Sequence, residues 1–263
     1  MKVLLVLISM LIASSAAVAP MRVPGTMAPE LPAAGALPAP PASSVDADES
    51  AEYGPYGVVW HVRTARKEIA LTFDDGPYPF YTPVLLHVLD RSHVPATFFI
   101  VGRSAQAFPE LVSRIVESGN EIGNHTFNHF TLTSLRDDQI AYQIAADGAL
   151  LQQFTGRPLS LFRPPHGRFN RHVVAIAREL GYHTIFWSAA ADDVKDIPPE
   201  LITARVLGEA SPGGIILLHS GQYRTIEALP DIINGLREQG YSFVTVSQLI
   251  EDGEGPPEQT FGH

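Results

Sequence analysis

Cysteine is absent from the 263 residues, which excludes a disulfide framework and a lipid-anchored lipoprotein. Positive charge is scarce. Lys and Arg number 18 against 28 Asp and Glu, the formal net charge is −10, and no basic cluster interleaves with aromatic residues. Such a surface opposes phosphate backbones, so no nucleic-acid partner is expected. Long apolar runs are also missing. The run at residues 3–12 is too short to cross a bilayer comfortably and no second one follows, so no stable membrane span is expected.

What stands around that short run is informative. Lys2 precedes it and small residues ending Ala17-Val18-Ala19 follow it, the pattern of a signal peptide over residues 1–19. Pro20 would hinder cleavage after Ala19, which leaves Ala17 as the alternative cut. Export to a secreted, periplasmic or cell-wall location is therefore expected. Residues 20–50 are rich in Pro and Ala with almost no large apolar side chain, a composition that cannot bury enough surface to fold and reads as a disordered linker. Residues 251–263 are acidic with Gly and Pro and read as a loose tail. Between them, residues 51–250 have the size of one domain with one core, expected to act as a monomer.

Within that domain, strand-length apolar runs fall at 69–73, 96–101, 121–123, 159–162, 184–187, 215–218 and 243–246. Helical spacing alternates with them: Leu111, Val112, Ile115 and Val116 before Gly119, a helix from near Ser134 with Asp137 placed for a capping box, and helices at about 171–180, 200–209 and 226–239. The alternation predicts an α/β fold with a parallel sheet and crossover helices. Periodicity leaves an open doubly wound sheet and a closed barrel equally possible.

Residues 72–77 read Thr-Phe-Asp-Asp-Gly-Pro directly after Ile69-Ala70-Leu71, which sets two adjacent carboxylates where a buried strand breaks into a turn. Asp and Gly are ordinary turn residues, so this stretch alone could be a solvated turn. Side by side in a polar mouth, however, two carboxylates repel unless a cation or a proton separates their roles, and a divalent metal on one leaves the other free as a base. Further on stand His125 and His129 in Asn-His-Thr-Phe-Asn-His, Arg163 in Phe-Arg-Pro-Pro-His-Gly, Asp192 and Asp193 after Phe186-Trp187-Ser188, and His219 in Ile-Ile-Leu-Leu-His-Ser. Each follows a short apolar run and so lies just past the C-terminal end of an expected strand, where barrel enzymes place their chemistry.

At these residues the chain resembles the polysaccharide deacetylases, the NodB-homology domain of carbohydrate esterase family four. The resemblance runs from about Lys67 to Ile250 and covers five motifs in the family's order, TFDDGP letter for letter. It implies a distorted (β/α) barrel of about seven strands, of the glycoside hydrolase–deacetylase type. By the family pattern Asp75, His125 and His129 are the metal ligands, and two histidines with one carboxylate suit Zn²⁺, Co²⁺ or another divalent ion with open positions for water and substrate. Four residues apart, the histidines are expected on a helical turn, facing the same way.

The resemblance further implies that Asp74 is the general base toward water, held by Arg163, and that His219 is the acid that protonates the leaving amine. The motif around Arg163 ends Pro164-Pro165-His166-Gly167, with His where the family usually carries Tyr or Phe; its backbone N–H would meet the oxyanion and the His166 side chain would touch the sugar. Leu217 fits the residue lining the acetyl-methyl pocket, and is equally a core leucine. An aspartate is expected to pair with His219 and raise its pKa; Asp193 is favoured over Asp192, and Val194 stands where Trp is usual, which removes one wall of the groove.

The function implied is an exported, metal-dependent hydrolase removing N-acetyl groups from amino-sugar polysaccharides, with peptidoglycan or chitin-like oligomers first. An acetyl-xylan type O-acetyl esterase would use the same residues, since the catalytic set does not separate amide from ester. A non-catalytic glycan-binding relative is the third reading. Retention of both a base and an acid argues against it, because binding needs neither.

Overall fold

A computed structural model describes residues 58–253. The expected signal peptide and linker, and residues 254–263 of the tail, lie outside the described residues. Nine strands form one sheet: β1 (Val58–Val59), β2 (Glu68–Asp74), β3 (Thr97–Ile100), β4 (Glu121–Asn124), β5 (Leu161–Phe162), β6 (His183–Ile185), β7 (Ala189–Ala190), β8 (Gly214–His219) and β9 (Ser242–Phe243). Their order is β1-β6-β5-β4-β3-β2-β8-β7, with β9 paired to β2, and every strand pairing is parallel. The helices of the described residues are α1 (Thr82–Ser92), α2 (Gly102–Ala107), α3 (Pro109–Glu117), α4 (Asp137–Thr155), α5 (Arg171–Glu179), α6 (Pro199–Glu209), α7 (Tyr223–Glu238) and α8 (Val246–Glu251).

The sheet curls into a distorted barrel, and the alternation of side chains along each strand shows how. On β2, Ile69, Leu71 and Phe73 point outward and join Phe98, Ile100, Ile216 and Leu218 in a large core under Leu85 and Leu89 of α1 and Leu229, Ile232 and Ile233 of α7. The alternate residues point inward. Ala70 of β2, Phe99 of β3, Leu161 of β5, Ile185 of β6 and Ile215 of β8 meet in one inner cluster with Val59, so strands far apart in the order share a centre. Burying each of these large aliphatic or aromatic side chains contributes about 1.5–3 kcal/mol. The segment after β1 is drawn to the start of β8, near the other end of the order, by an antiparallel bridge between His61 and Gly214 and by the Val62 N–H donating to Gly213 O at 3.0 Å. Gly213 permits this approach: its φ is 81°, and a Cβ there would lie 1.8 Å from Val62 O.

The strand count exceeds seven because β1 and β7 are two-residue strands, too short to give an alternating pattern. Three other expectations need correction. Helices α1 and α2 have no counterpart among the expected helices, although in α1 Leu85, Leu86 and Leu89 have helical spacing and Pro83 sits at the start where proline is favoured. The expected strand at 243–246 stops at Phe243, because the Thr245 hydroxyl accepts from Gln248 N–H and caps α8. Ser134 does not start the long helix either. Its hydroxyl donates to Thr131 O and closes a 3-10 turn, and α4 begins at Asp137, with the Gln139 side chain accepting from the Arg136 N–H at 3.1 Å.

Candidate active site

The period of two on β2 places Ala70, Thr72 and Asp74 on the inner face, so Asp74, the last residue of the strand, reaches the mouth of the barrel. Asp75 follows with φ 75°, a left-handed residue that turns the chain over the rim and sends its carboxylate a different way from its neighbour's. On β8, in register beside β2, Leu217 pairs with Thr72 and His219 with Asp74. Leu217 is therefore on the same inner face as His219, half-buried beside Thr72 rather than in the core under the outer helices.

Arg163 is fully buried, and four of its five N–H donors are used. Nη1 donates to Asp74 Oδ1 at 2.7 Å and to Thr72 Oγ1 at 2.8 Å, Nε to Ile185 O at 3.2 Å, and Nη2 to Phe186 O at 2.9 Å. Its guanidinium lies over the Phe99 ring at 4.0 Å. Burial pulls the guanidinium pKa below its ordinary value, and the Asp74 charge opposes that shift. The fork leaves Asp74 Oδ2 facing the mouth, 3.8 Å from His125 Nε2.

His125 Nδ1 is 2.7 Å from Arg163 O, a group that can only accept, so Nδ1 carries the proton and Nε2 presents its lone pair. That nitrogen lies 3.4 Å from Asp75 Oδ1, and His129 Nε2 lies 3.0 Å from the same oxygen. The three donor atoms fall within 4.8 Å of one another. Ligand atoms about 2.1 Å from a common ion lie roughly 3.0–3.4 Å apart. A neutral imidazole lone pair facing a carboxylate oxygen at such distances is repulsive unless a cation lies between them, so Asp75, His125 and His129 could hold a metal ion. Burial would raise the Asp75 pKa; in their protonated forms His125 and His129 would instead donate to its carboxylate, outweigh burial and hold the carboxyl well below its ordinary range.

The two histidines do not share a helical turn. Residues 125–129 form an irregular loop with Thr126 at φ 66° and His129 at φ 59°, which brings the rings to 4.9 Å. The His166 ring packs edge-on against His129 at 4.7 Å, and burial with the neighbouring imidazole pulls its pKa below 6.5. His166 is itself left-handed, at φ 60°. Its turn closes through Gly167 N–H on Pro164 O and Arg168 N–H on Pro165 O, neither of which uses the His166 N–H. Gly167 lies under Trp187, whose ring would be 2.7 Å from a Cβ at that position.

On the other flank, Asp193 Oδ1 is 2.8 Å from His219 Nδ1, and its Oδ2 accepts from the His219 N–H at 2.8 Å and from the Thr225 hydroxyl at 2.6 Å. Asp192 points elsewhere, accepting from Lys195 and Arg205. Burial works against the charged imidazole. The Asp193 hydrogen bond and charge, with Asp74 and Asp75 nearby, outweigh it and lift His219 to about 8. Val194 is exposed beside this pair.

All nine residues singled out in the sequence thus come to one end of the barrel. Thr72 and Thr225, which orient Arg163 and Asp193, were not singled out. Thr72 stood two residues before Asp74 on the same strand face and could have been found by that spacing. Thr225, 32 residues from its partner, carried no such signal.

Comparison with known proteins identifies the family. The family model described as polysaccharide deacetylase matches residues 61–185. A peptidoglycan-N-acetylglucosamine deacetylase of Bacillus cereus is 41% identical over 198 residues, covering 73% of this chain and 92% of that protein. The peptidoglycan-N-acetylmuramic acid deacetylase PdaA of Bacillus subtilis is 36% identical, with 76% and 77% covered. Among solved structures, a peptidoglycan N-acetylglucosamine deacetylase in complex with an N-hydroxybenzamide superposes with a TM-score of 0.73 at 34% identity, covering 75% of this chain and 94% of that one.

Proposed function

Because the chain belongs to the polysaccharide deacetylase family, we propose that it is an exported, metal-dependent hydrolase that removes N-acetyl groups from amino sugars of peptidoglycan. The observation that carries this reading is the register of Asp74 beside His219 on β2 and β8, with the Asp75, His125 and His129 donor set at the same rim. A base and an acid on neighbouring strands can serve opposite ends of one acyl transfer.

In this mechanism Asp75, His125 and His129 would hold a divalent ion, Zn²⁺ first, which would supply Lewis acidity to the reaction. Asp74 takes the proton of that water on Oδ2, while Arg163 keeps Oδ1 fixed. The His166 N–H and its turn offer a main-chain donor for the charge that develops on the carbonyl oxygen. His219, its Nδ1 tied to Asp193, delivers a proton from Nε2 to the leaving nitrogen, which is a poor leaving group until protonated. Leu217 lines the space for the acetyl methyl group, and the His166 ring contacts the sugar.

Metal analysis of the purified protein, followed by acetate release from peptidoglycan, chitin oligomers and acetylated xylan, tests the reading. Chelation should abolish release while circular dichroism stays unchanged, because three ligands at a barrel mouth serve chemistry rather than folding. Full activity without metal would overturn the mechanism, and release from xylan alone would replace the substrate.

A further inference from the structure

Helix α4 carries buried polar residues on the side that faces the histidine loop. Gln143 and Asp147, one turn apart, are 4% and 0% exposed, and neither has a part in the chemistry described above. Both are spent on the segment that carries His125 and His129. The His125 N–H donates to Asp147 Oδ2 at 3.0 Å as well as to Ile100 O at 2.9 Å, the Phe127 N–H to Gln143 O at 2.9 Å, and the Asn128 N–H to Gln143 Oε1 at 2.8 Å. The Asn124 side-chain amide donates to Ile144 O at 2.8 Å. One turn of α4 therefore holds four of the five residues from 124 to 128. The fifth, Thr126, is held by Asn124 Oδ1 at 3.0 Å.

This loop needs such support. Thr126 and His129 are both left-handed, a conformation that non-glycine residues keep only when the surroundings impose it. Asp147 is an expensive way to impose it: its Oδ1 is buried with no hydrogen-bond partner, and burial pushes its pKa well up. An apolar residue would pack there at less cost, so the acceptor itself is what the position uses.

We propose that Gln143 and Asp147 are positioning residues that fix the separation of the His125 and His129 donor atoms, so that metal affinity is set by α4 as well as by the ligands. The proposal rests on the reading of Asp75, His125 and His129 as a metal site. Supporting residues behind metal ligands typically change affinity 10–100-fold when removed.

The test is zinc affinity of the whole chain, measured by competition with a chromophoric chelator, alongside the thermal midpoint of the metal-free protein. Gln143→Met keeps length and helix propensity but removes the Oε1 acceptor; Asp147→Leu removes the acceptor for the His125 N–H, and Asp147→Asn keeps one. The expected result is zinc binding weakened about 10–100-fold in Gln143→Met and Asp147→Leu and changed less than about threefold in Asp147→Asn. The cobalt-loaded visible spectrum should shift in the two weakened variants and not in Asp147→Asn. Wild-type affinity and spectrum in Gln143→Met would overturn the proposal, even if Asp147→Leu fails to fold. If instead the wild type itself bound no zinc, or bound it undiminished after Asp75→Asn, the metal site would be wrong and the proposal would fall with it.

Discussion

At the scale of single residues, adjacent aspartates have been given opposite environments. Asp74 ends a strand and is gripped by a buried arginine, while Asp75 turns left-handed into two imidazoles. Asp74→Asn should therefore lower kcat about 10²–10⁴-fold with metal content near wild type, and Asp75→Asn should lose metal, both read by kinetics beside metal analysis. Equal metal loss in the two would mean that the roles are divided wrongly. The sequence made this pair legible because its motif is contiguous. The grip on Arg163 was less so, since two of its bonds go to the main-chain oxygens of Ile185 and Phe186, which no side-chain pattern encodes. The choice between Asp192 and Asp193 also needed coordinates, and Asp193 is the one at His219. With its pKa raised from 6.5 to about 8, His219 is charged below that value and loses its proton above it, so deacetylation should hold to near pH 8 and then fall. Asp193→Asn should move this limb to lower pH and reduce kcat. Asp192→Asn, which removes only contacts to Lys195 and Arg205, should leave it in place.

Elements show why alternation along strands was the most readable layer and local capping the least. Inward and outward residues of β2 and β8 follow from a period of two, and that period delivers Asp74 and His219 to one face. Helix α8 was hidden because Val244 and Val246 look like strand until the Thr245 cap is seen. A close approach was hidden too. Gly123 on β4 faces Phe99 on β3, and a Cβ at Gly123 would lie 2.7 Å from that ring, which itself carries the Arg163 guanidinium. Gly123→Val should overpack the barrel interior, destabilising by about 1–3 kcal/mol in urea unfolding and lowering kcat by shifting Phe99 under Arg163. A loss of activity with the urea midpoint unchanged would mean that the two effects are not linked through this contact.

Over the whole molecule, apolar exposure is distributed unevenly. Among the described residues, the exposed large hydrophobics are Phe80, Val84, Phe130, Tyr142, Phe169, Val194, Leu201 and Tyr223. Five are in, or directly follow, the loops after β2, β4, β5, β7 and β8, and Val84, Tyr142 and Leu201 lie in the first two turns of α1, α4 and α6, which start at that same end. Scattered exposed apolar residues are ordinary, but their gathering at one end of the barrel is what a binding face for the proposed substrate would need. Neither their exposure nor their shared end could be read from periodicity, because each sits where the pattern of its element has just stopped or just begun. On the proposed function, Phe130, next to His129, and Tyr223, four residues after His219, would offer flat rings to sugars on either side of the one being deacetylated. Phe130→Ala and Tyr223→Ala should each raise KM for a glycan of five or more sugars roughly three- to tenfold, the loss of partial burial of one ring, with kcat little changed. The same substitutions should leave KM for a disaccharide and the thermal midpoint near wild type, since the side chains are exposed in the free protein. An equal rise for short and long glycans would confine sugar contact to the central residue and leave the apolar rim without a part in polymer recognition.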